Sequence, residues 1–273
     1  MRGVIQHRRA LIVLGLSGGA LLMGSALAQE PAHEPQTGTA SAPESSPTLL
    51  GAGAYAIPVY PGSSAVEVRP VPVIDITAWN RLFVRSGYGA GIYLWHKPSS
   101  DAGVSIDADL LHRYEADDTR LSGLGNVGRT ARANVFITGK CARMDTTVKL
   151  STDIGGEGHG SVVDIELARS HSITPKLGVR GGVGTTWTNA HYMRTFFGVD
   201  TQQSARSGLP MFSPDSGFSS ARLFFSAQYE IRPHWQISGQ TYVGRLRGDA
   251  ADSPITRKRS YVGGGIFLAY VVR

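Results

Sequence analysis

The feature that most constrains this chain is a strict alternation of apolar and polar residues, sustained over long segments and repeated many times. In 104–110, Val104, Ile106, Ala108 and Leu110 are apolar, while Ser105, Asp107 and Asp109 are polar. In 142–151, Met144, Val148 and Leu150 alternate with Arg143, Asp145, Thr147 and Lys149. Further on, Val163, Ile165 and Leu167 oppose Asp164 and Glu166, and Leu177, Val179 and Val183 oppose Lys176 and Arg180. Leu223, Phe225, Tyr229 and Ile231 oppose Arg222, Ser226, Gln228 and Glu230, and Trp235, Ile237 and Val243 oppose His234, Gln236 and Gln240. A period of two sends successive side chains to opposite faces, so each segment is a strand with one apolar face.

Alternation alone also suits a soluble sandwich, and segment length separates the two. Many of these segments run to about 10 residues, whereas globular strands average about 5–6 and a tilted bilayer-spanning strand needs about 9–11. Short links (Ile231-Arg232-Pro233, Gly139-Lys140) alternate with long ones (113–129, 189–219, 248–259), as periplasmic turns and extracellular loops do in outer-membrane barrels. Trp79, Trp95, Trp187, Trp235 and Tyr270 stand near strand ends, where an interfacial aromatic girdle belongs. The expected fold is an all-β, antiparallel transmembrane β-barrel of the outer membrane. Its last strand, 261–272, aligns Val262, Ile266, Leu268, Tyr270 and Val272 on one face. With both ends of the barrel domain in the periplasm the strand number is even. Counting the links gives twelve, with 81–86 and 90–96 as a hairpin, or ten if 81–96 is one bulged strand and another segment is not a strand. Segment 66–77 carries Pro70 and Pro72. Proline cannot donate to a ladder, and residues two apart aim at the same neighbour, so weak pairing is expected along one side of this strand.

Residues 1–28 read as a secretory signal peptide: Arg2, Arg8 and Arg9 precede a short apolar run, and Ala26-Leu27-Ala28 precedes a cut between Ala28 and Gln29. A membrane anchor is the alternative reading, and the run is shorter than the ~20 residues that would need. Residues 29–48, rich in Pro, Ser, Thr and Glu, form a disordered periplasmic tail, and 49–273 is the barrel. The lone Cys141 excludes a disulfide framework; its plain reading is a small residue near a turn. Of 27 basic residues against 21 acidic, three lie in the leader, so the exported chain carries only +3, no nucleic-acid footprint.

Several segments, taken in order, resemble the MipA/OmpV family, the MltA-interacting proteins of the outer membrane. They are Gly51-Ala52-Gly53-Ala54, Pro58-Val59-Tyr60-Pro61-Gly62-Ser63, Pro70-Val71-Pro72-Val73-Ile74-Asp75 and Leu121-Ser122-Gly123-Leu124-Gly125-Asn126. A central run, Tyr192-Met193-Arg194-Thr195-Phe196-Phe197-Gly198-Val199, is followed by Ser207-Gly208-Leu209-Pro210, and the most specific run is Gly248-Asp249-Ala250-Ala251-Asp252-Ser253-Pro254-Ile255. Two departures stand out: Gly158-His159-Gly160-Ser161 where the family usually has Gly-His-Gly-Gly, and a chain end at Val271-Val272-Arg273 where it usually has an aromatic residue, a place Tyr270 partly fills. The resemblance implies a non-enzymatic scaffold that joins a lytic murein transglycosylase to a penicillin-binding protein, with porins and adhesion or antigen proteins as other members. It supplies no catalytic residue and no cofactor.

Three constellations are weighed beside that reading. His159 and Ser161 have the His-x-Ser spacing of a lipid A deacylase, but no third orienting group is evident and a glycine-rich hairpin loop is the plainer reading. Asp249 and Asp252 would begin an oxygen-ligand calcium site or simply cap turns. Arg257-Lys258-Arg259 would either contact lipopolysaccharide phosphates or form a solvated loop face. By parity, the inward charges are Asp107, Asp109, Asp145, Asp164, Glu166 and Glu230 against Arg143, Lys149, Lys176, Arg180 and Arg222. Mixed signs suit a lumen crossed by ion pairs, either a constricted pore or a filled barrel. The expected function is therefore a scaffold or, alternatively, a porin for small solutes; an enzyme on the barrel rim is the remaining alternative.

Overall fold

A computed structural model describes residues 48–272; the expected leader, its cut between Ala28 and Gln29, and the tail up to residue 47 lie outside the described residues. Twelve strands form a closed antiparallel barrel: β1 (Thr48–Pro58), β2 (Val66–Ala78), β3 (Leu82–Arg85), β4 (Gly89–Lys97), β5 (Ser100–Asp109), β6 (Thr130–Cys141), β7 (Met144–Asp153), β8 (Ser161–Thr174), β9 (Leu177–Thr188), β10 (Gly217–Arg232), β11 (Trp235–Leu246) and β12 (Ser260–Val272). Each strand pairs with its sequence neighbour, and β12 closes on β1 with Ala52 opposite Leu268. Segment 81–96 is two strands, so the number is twelve and not ten.

Closure answers a physical demand, because an open sheet edge in hydrocarbon leaves backbone groups with no partner. The alternation decides the faces. Ile106, Ile137, Leu223 and Ile266 are 59%, 58%, 58% and 67% exposed, while Ser105, Phe136, Arg222 and Phe267 beside them are buried. An apolar exterior of this extent, wrapped around a polar interior, is what a bilayer solvates and water does not. Trp79, Trp95, Trp235 and Tyr270 lie exposed at the end that holds both strand termini, and Phe218 is exposed at the opposite end.

Inside, aromatic rings lie against the wall where the sequence has glycine. A Cβ on Gly265 would stand 2.4 Å from the Tyr55 ring, and one on Gly91 2.5 Å from the Phe83 ring. The rings gather in two groups, Tyr55, Tyr242 and Phe267 in one and Phe83, Tyr88, Tyr93 and Phe136 in the other. Turns at the termini's end are tight. Ala142 and Arg143 (φ +49° and +66°) join β6 to β7, and Trp79 and Asn80 (φ +51° and +55°) join β2 to β3, the paired left-handed residues that match hairpin twist. These turns fall a little later than the sequence suggested: Gly139 and Lys140 still pair within β6, and Arg232 within β10. Cys141 ends β6, exposed.

The wall has one weak place. β2 pairs with β1 along almost its whole length but with β3 only over Asp75–Arg85 to Ala78–Leu82. The β3–β4 hairpin stops there, about halfway up, and Ser86 caps its end by accepting from the Ile74 amide at 2.9 Å and donating to the Pro72 carbonyl at 2.9 Å. The Ile74 amide thus faces away from β1, and Val68, Pro70 and Pro72, of the same parity, face the same unpaired side. The two prolines remove donors that would otherwise point at nothing. In detergent solution the Val68 amide is expected to exchange with deuterium far faster than those of Val71 and Val73, which face Gly53 and Gly51 of β1. Uniformly slow exchange along β2 in residue-resolved NMR would contradict this.

Candidate functional site

A layer of charge lines the inner wall on neighbouring strands. Arg222 of β10 donates to Glu166 of β8 at 2.7 Å and to the Thr186 hydroxyl at 3.1 Å, and lies 3.6 Å from Asp164. Arg180 of β9 lies 3.6 Å from Glu166 with its guanidinium 4.9 Å from the centre of the Phe224 ring. Glu166 stands in register with Gly184, and a Cβ on Gly184 would come within 2.9 Å of the Arg222 guanidinium carbon. The missing side chain is the bed on which Arg222 lies. Higher in the lumen, Arg132 of β6 donates to Asp107 at 3.3 and 3.1 Å and meets Asp109 at 3.2 Å.

Of the charges given by parity, Asp107, Asp109, Lys149, Asp164, Glu166, Arg180 and Arg222 line this upper and middle lumen. Asp145 and Glu230 share their parity near the termini's end, half-buried, with Asp145 accepting from Ser170 at 2.9 Å. Arg143 and Lys176 do not belong to the lumen. They are exposed in the turns after β6 and β8, outside the strands whose alternation parity relies on. The chief omission is Arg132, the partner of two of the aspartates. Its signal was available: Arg132, Asn134, Phe136 and Thr138 alternate with Ala131, Ala133, Val135 and Ile137.

Above the charge layer the long loops fold into a cap. Its helices are α1 (Ala190–Phe197), α2 (Thr201–Ser207) and α3 (Gly248–Asp252). Asn189 caps α1 by accepting from the Tyr192 amide, Asp200 and Gln203 form a capping box on α2, and Gly208 (φ +73°) ends it in the left-handed region. Met193, Phe196 and Phe197 pack on Leu111, Val127, Leu246 and Ala250 over the mouth of the barrel. A second cluster unites Tyr60, Leu121, Leu124, Val199 and Ile255, with Leu209 against it. The family-like runs in the loops are thus parts of one cap, while residues 51–54 and 70–75 lie in β1 and β2 of the wall. Ser253, just before Pro254, donates to the Phe197 carbonyl at 2.6 Å, and Gly198 and Pro210 lead the chain away from α1 and α2. Arg257 donates to Asp118 at 2.7 and 2.5 Å, which holds the Asp118 carboxyl below the usual carboxylate range. Burial, reinforced by Asp118, pushes the Tyr60 phenol up to about 12, and burial alone pulls Arg113 down to about 10.

The small constellations resolve into this cap. Asp249 accepts from the Asp215 amide at 2.9 Å, and Asp252 accepts from Arg259 at 2.8 Å, so the two carboxylates serve separate loops. Among the described residues no group of three or more His, Cys, Asp or Glu is arranged to hold a metal ion. Arg257 and Arg259 each hold a carboxylate of the cap, yet both remain exposed, as Lys258 does. His159 and Ser161 do not form a nucleophile and base. The Ser161 hydroxyl lies 3.2 Å from that of Thr152, while the buried His159 ring faces Asp109 at 2.9 Å and the Gly128 carbonyl at 2.7 Å.

Two acceptors on the two ring nitrogens require both to donate, which is the imidazolium form. Burial opposes the charge, but the hydrogen bond and charge of Asp109 and the Gly128 carbonyl outweigh it, so the His159 pKa is raised. A raised folded pKa contributes stability that is fully present below the unfolded value, ~6.5, and is lost as pH rises through the folded value. Imidazole nitrogen shifts of His159 are expected to report a doubly protonated ring at pH 6.5, with protease cleavage of the 154–160 loop quickening as the proton leaves at higher pH. A neutral ring at that pH would refute the assignment.

The model of the family described as MltA-interacting protein MipA matches residues 50–272. The MltA-interacting protein of Escherichia coli (strain K12) is 26% identical over 222 residues, covering 77% of this chain and 84% of that one, and the protein of the same name from Shigella flexneri gives the same figures. Among solved structures, the NanC porin is 10% identical, covering 81% of this chain and 98% of its own, with a TM-score of 0.42. An outer-membrane channel of Pseudomonas putida F1 is 11% identical, covering 87% and 100%, with a TM-score of 0.43.

Proposed function

Because the chain belongs to the MltA-interacting protein MipA family, we propose that it is a non-enzymatic barrel of the Gram-negative outer membrane that holds a lytic murein transglycosylase beside a penicillin-binding protein during peptidoglycan remodelling. The observation that carries this is the family match over nearly the whole barrel. Outer-membrane lipid, lipopolysaccharide included, is then the solvent of the apolar exterior, and the turns at the termini's end face the periplasm. Those turns and the strand ends beside them carry Lys97, Lys140, Arg143, Lys176 and Arg232, all exposed. A basic rim of this kind suits an acidic face on a murein enzyme. Pull-down from solubilised envelopes with the detergent-purified barrel is expected to capture a murein hydrolase and a synthase, with capture falling as salt rises. Recovery of neither would count against the scaffold.

The porin-like reading rests on the polar lumen. Buried charges of both signs, paired between strands one or two places apart in the wall, and a packed cap above them favour a filled barrel. In planar bilayers the native chain is expected to give no channel steps; clear and reproducible steps would favour the porin.

A further inference from the structure

The gap beside β2 is more than a missing ladder. One cavity of about 300 Å³ borders the inward-facing Asp109, Lys149 and Asp164 and also the outward-facing Pro70, Pro72 and Ala108. A continuous wall would separate these two sets of side chains. They share a cavity because, above the halted β3–β4 hairpin, nothing pairs β2 with β5. Arg69 spans the upper rim, donating to the Leu110 carbonyl at 3.0 Å and meeting the His112 ring at 3.1 Å.

The chemistry of the two ends differs. Toward the bilayer the rim is proline, valine and alanine. Toward the lumen the other charged groups bordering the cavity have charged partners: Arg132 with Asp107 and Asp109, Asp164 with Arg222, and Arg85 with Asp75. Lys149 is the exception. It is 3% exposed, and its one hydrogen bond among the described residues goes to the Gly87 carbonyl at 3.1 Å. Asp164 stands opposite it in register yet accepts from Thr186 at 2.8 Å. An ammonium has three donors, so beyond that bond and the Tyr88 ring 5.5 Å away, Lys149 presents unused donors to a cavity it shares with Asp107, Asp109 and Asp164.

We propose that this aperture is a lateral binding site for a small anionic amphiphile, its apolar body in the Pro70–Pro72–Ala108 opening toward the lipid and its acidic head on Lys149. The volume lies at the lower end of small-molecule sites. The same chemistry is offered by a free fatty acid and by an acyl chain with the phosphate of a membrane lipid. The full chain, in nanodiscs of uncharged lipid, would be titrated with octanoate and with octanol. Saturable octanoate binding is expected. Lys149→Met should weaken octanoate about tenfold, the worth of one charge-assisted hydrogen bond, and leave octanol unchanged. Ala108→Trp, on the lipid-facing surface where folding is undisturbed, should weaken both ligands. Absence of saturable octanoate binding, equal loss of both ligands in Lys149→Met, or native binding in Ala108→Trp would each overturn the proposal. Native mass spectrometry of the protein before titration names the source: a retained phospholipid points to the membrane, and an empty protein that takes up octanoate points to a free acid.

Discussion

Replacing Glu166 by leucine is expected to cost about 3–5 kcal/mol, the range for removing one member of a buried ion pair. Glu166 is 0% exposed, and two buried arginines depend on it. Arg222 would keep Thr186 and a longer contact to Asp164. Arg180 makes no side-chain hydrogen bond among the described residues, so its charge would be balanced by the Phe224 ring face alone. The readout is the temperature at which the compact band is lost on a semi-native gel, and Glu166→Leu should lose it well below the native chain. The pair itself is a weak source of net stability, because two desolvated charges repay little more than their own hydration. Glu166→Leu with Arg222→Met restores the charge balance of the layer and should therefore recover part of the loss, Arg180 still lacking its carboxylate. An unchanged single variant would mean that water reaches the layer, which would revive the open-pore reading.

That layer also shows what alternation does and does not reveal. Parity identifies Asp164, Glu166, Arg180 and Arg222 because each sits inside an uninterrupted run of period two. It misplaces Arg143 and Lys176, at the start of such runs, since hydropathy does not register that each lies in the turn before its strand begins. The halted β3–β4 hairpin was legible only in outline. Pro70 and Pro72 announce an unpaired side, but which neighbour falls short depends on where Ser86 ends the hairpin. Least legible was the cap. Phe196, Phe197, Leu121 and Ile255 come from three loops far apart in sequence, and no local period links them. The family-like runs marked these residues without saying that they touch.

Phe196→Ala is the change expected to open the cap and leave the barrel standing. The ring is 0% exposed, packs edge-on to His159 at 5.0 Å between centroids, and meets Tyr192 at 4.7 Å. Deleting a buried phenylalanine costs about 3–5 kcal/mol. The cap forms few ladder bonds with the strands, so the loss falls on its local opening equilibrium and not on the wall. A loss of about 3 kcal/mol raises the open population roughly a hundredfold, and trypsin cleavage near Arg194 and Arg206 should quicken in proportion while the compact gel band persists. Arg257→Ala, which removes an exposed pair with Asp118, should change cleavage little. Conductance then distinguishes what the cap is for. With the Glu166–Arg222–Arg180 layer intact beneath it, an opened cap should still give no channel steps, as a scaffold requires. If Phe196→Ala alone produces them, the cap is the gate of a pore, and the murein-scaffold reading gives way to the porin.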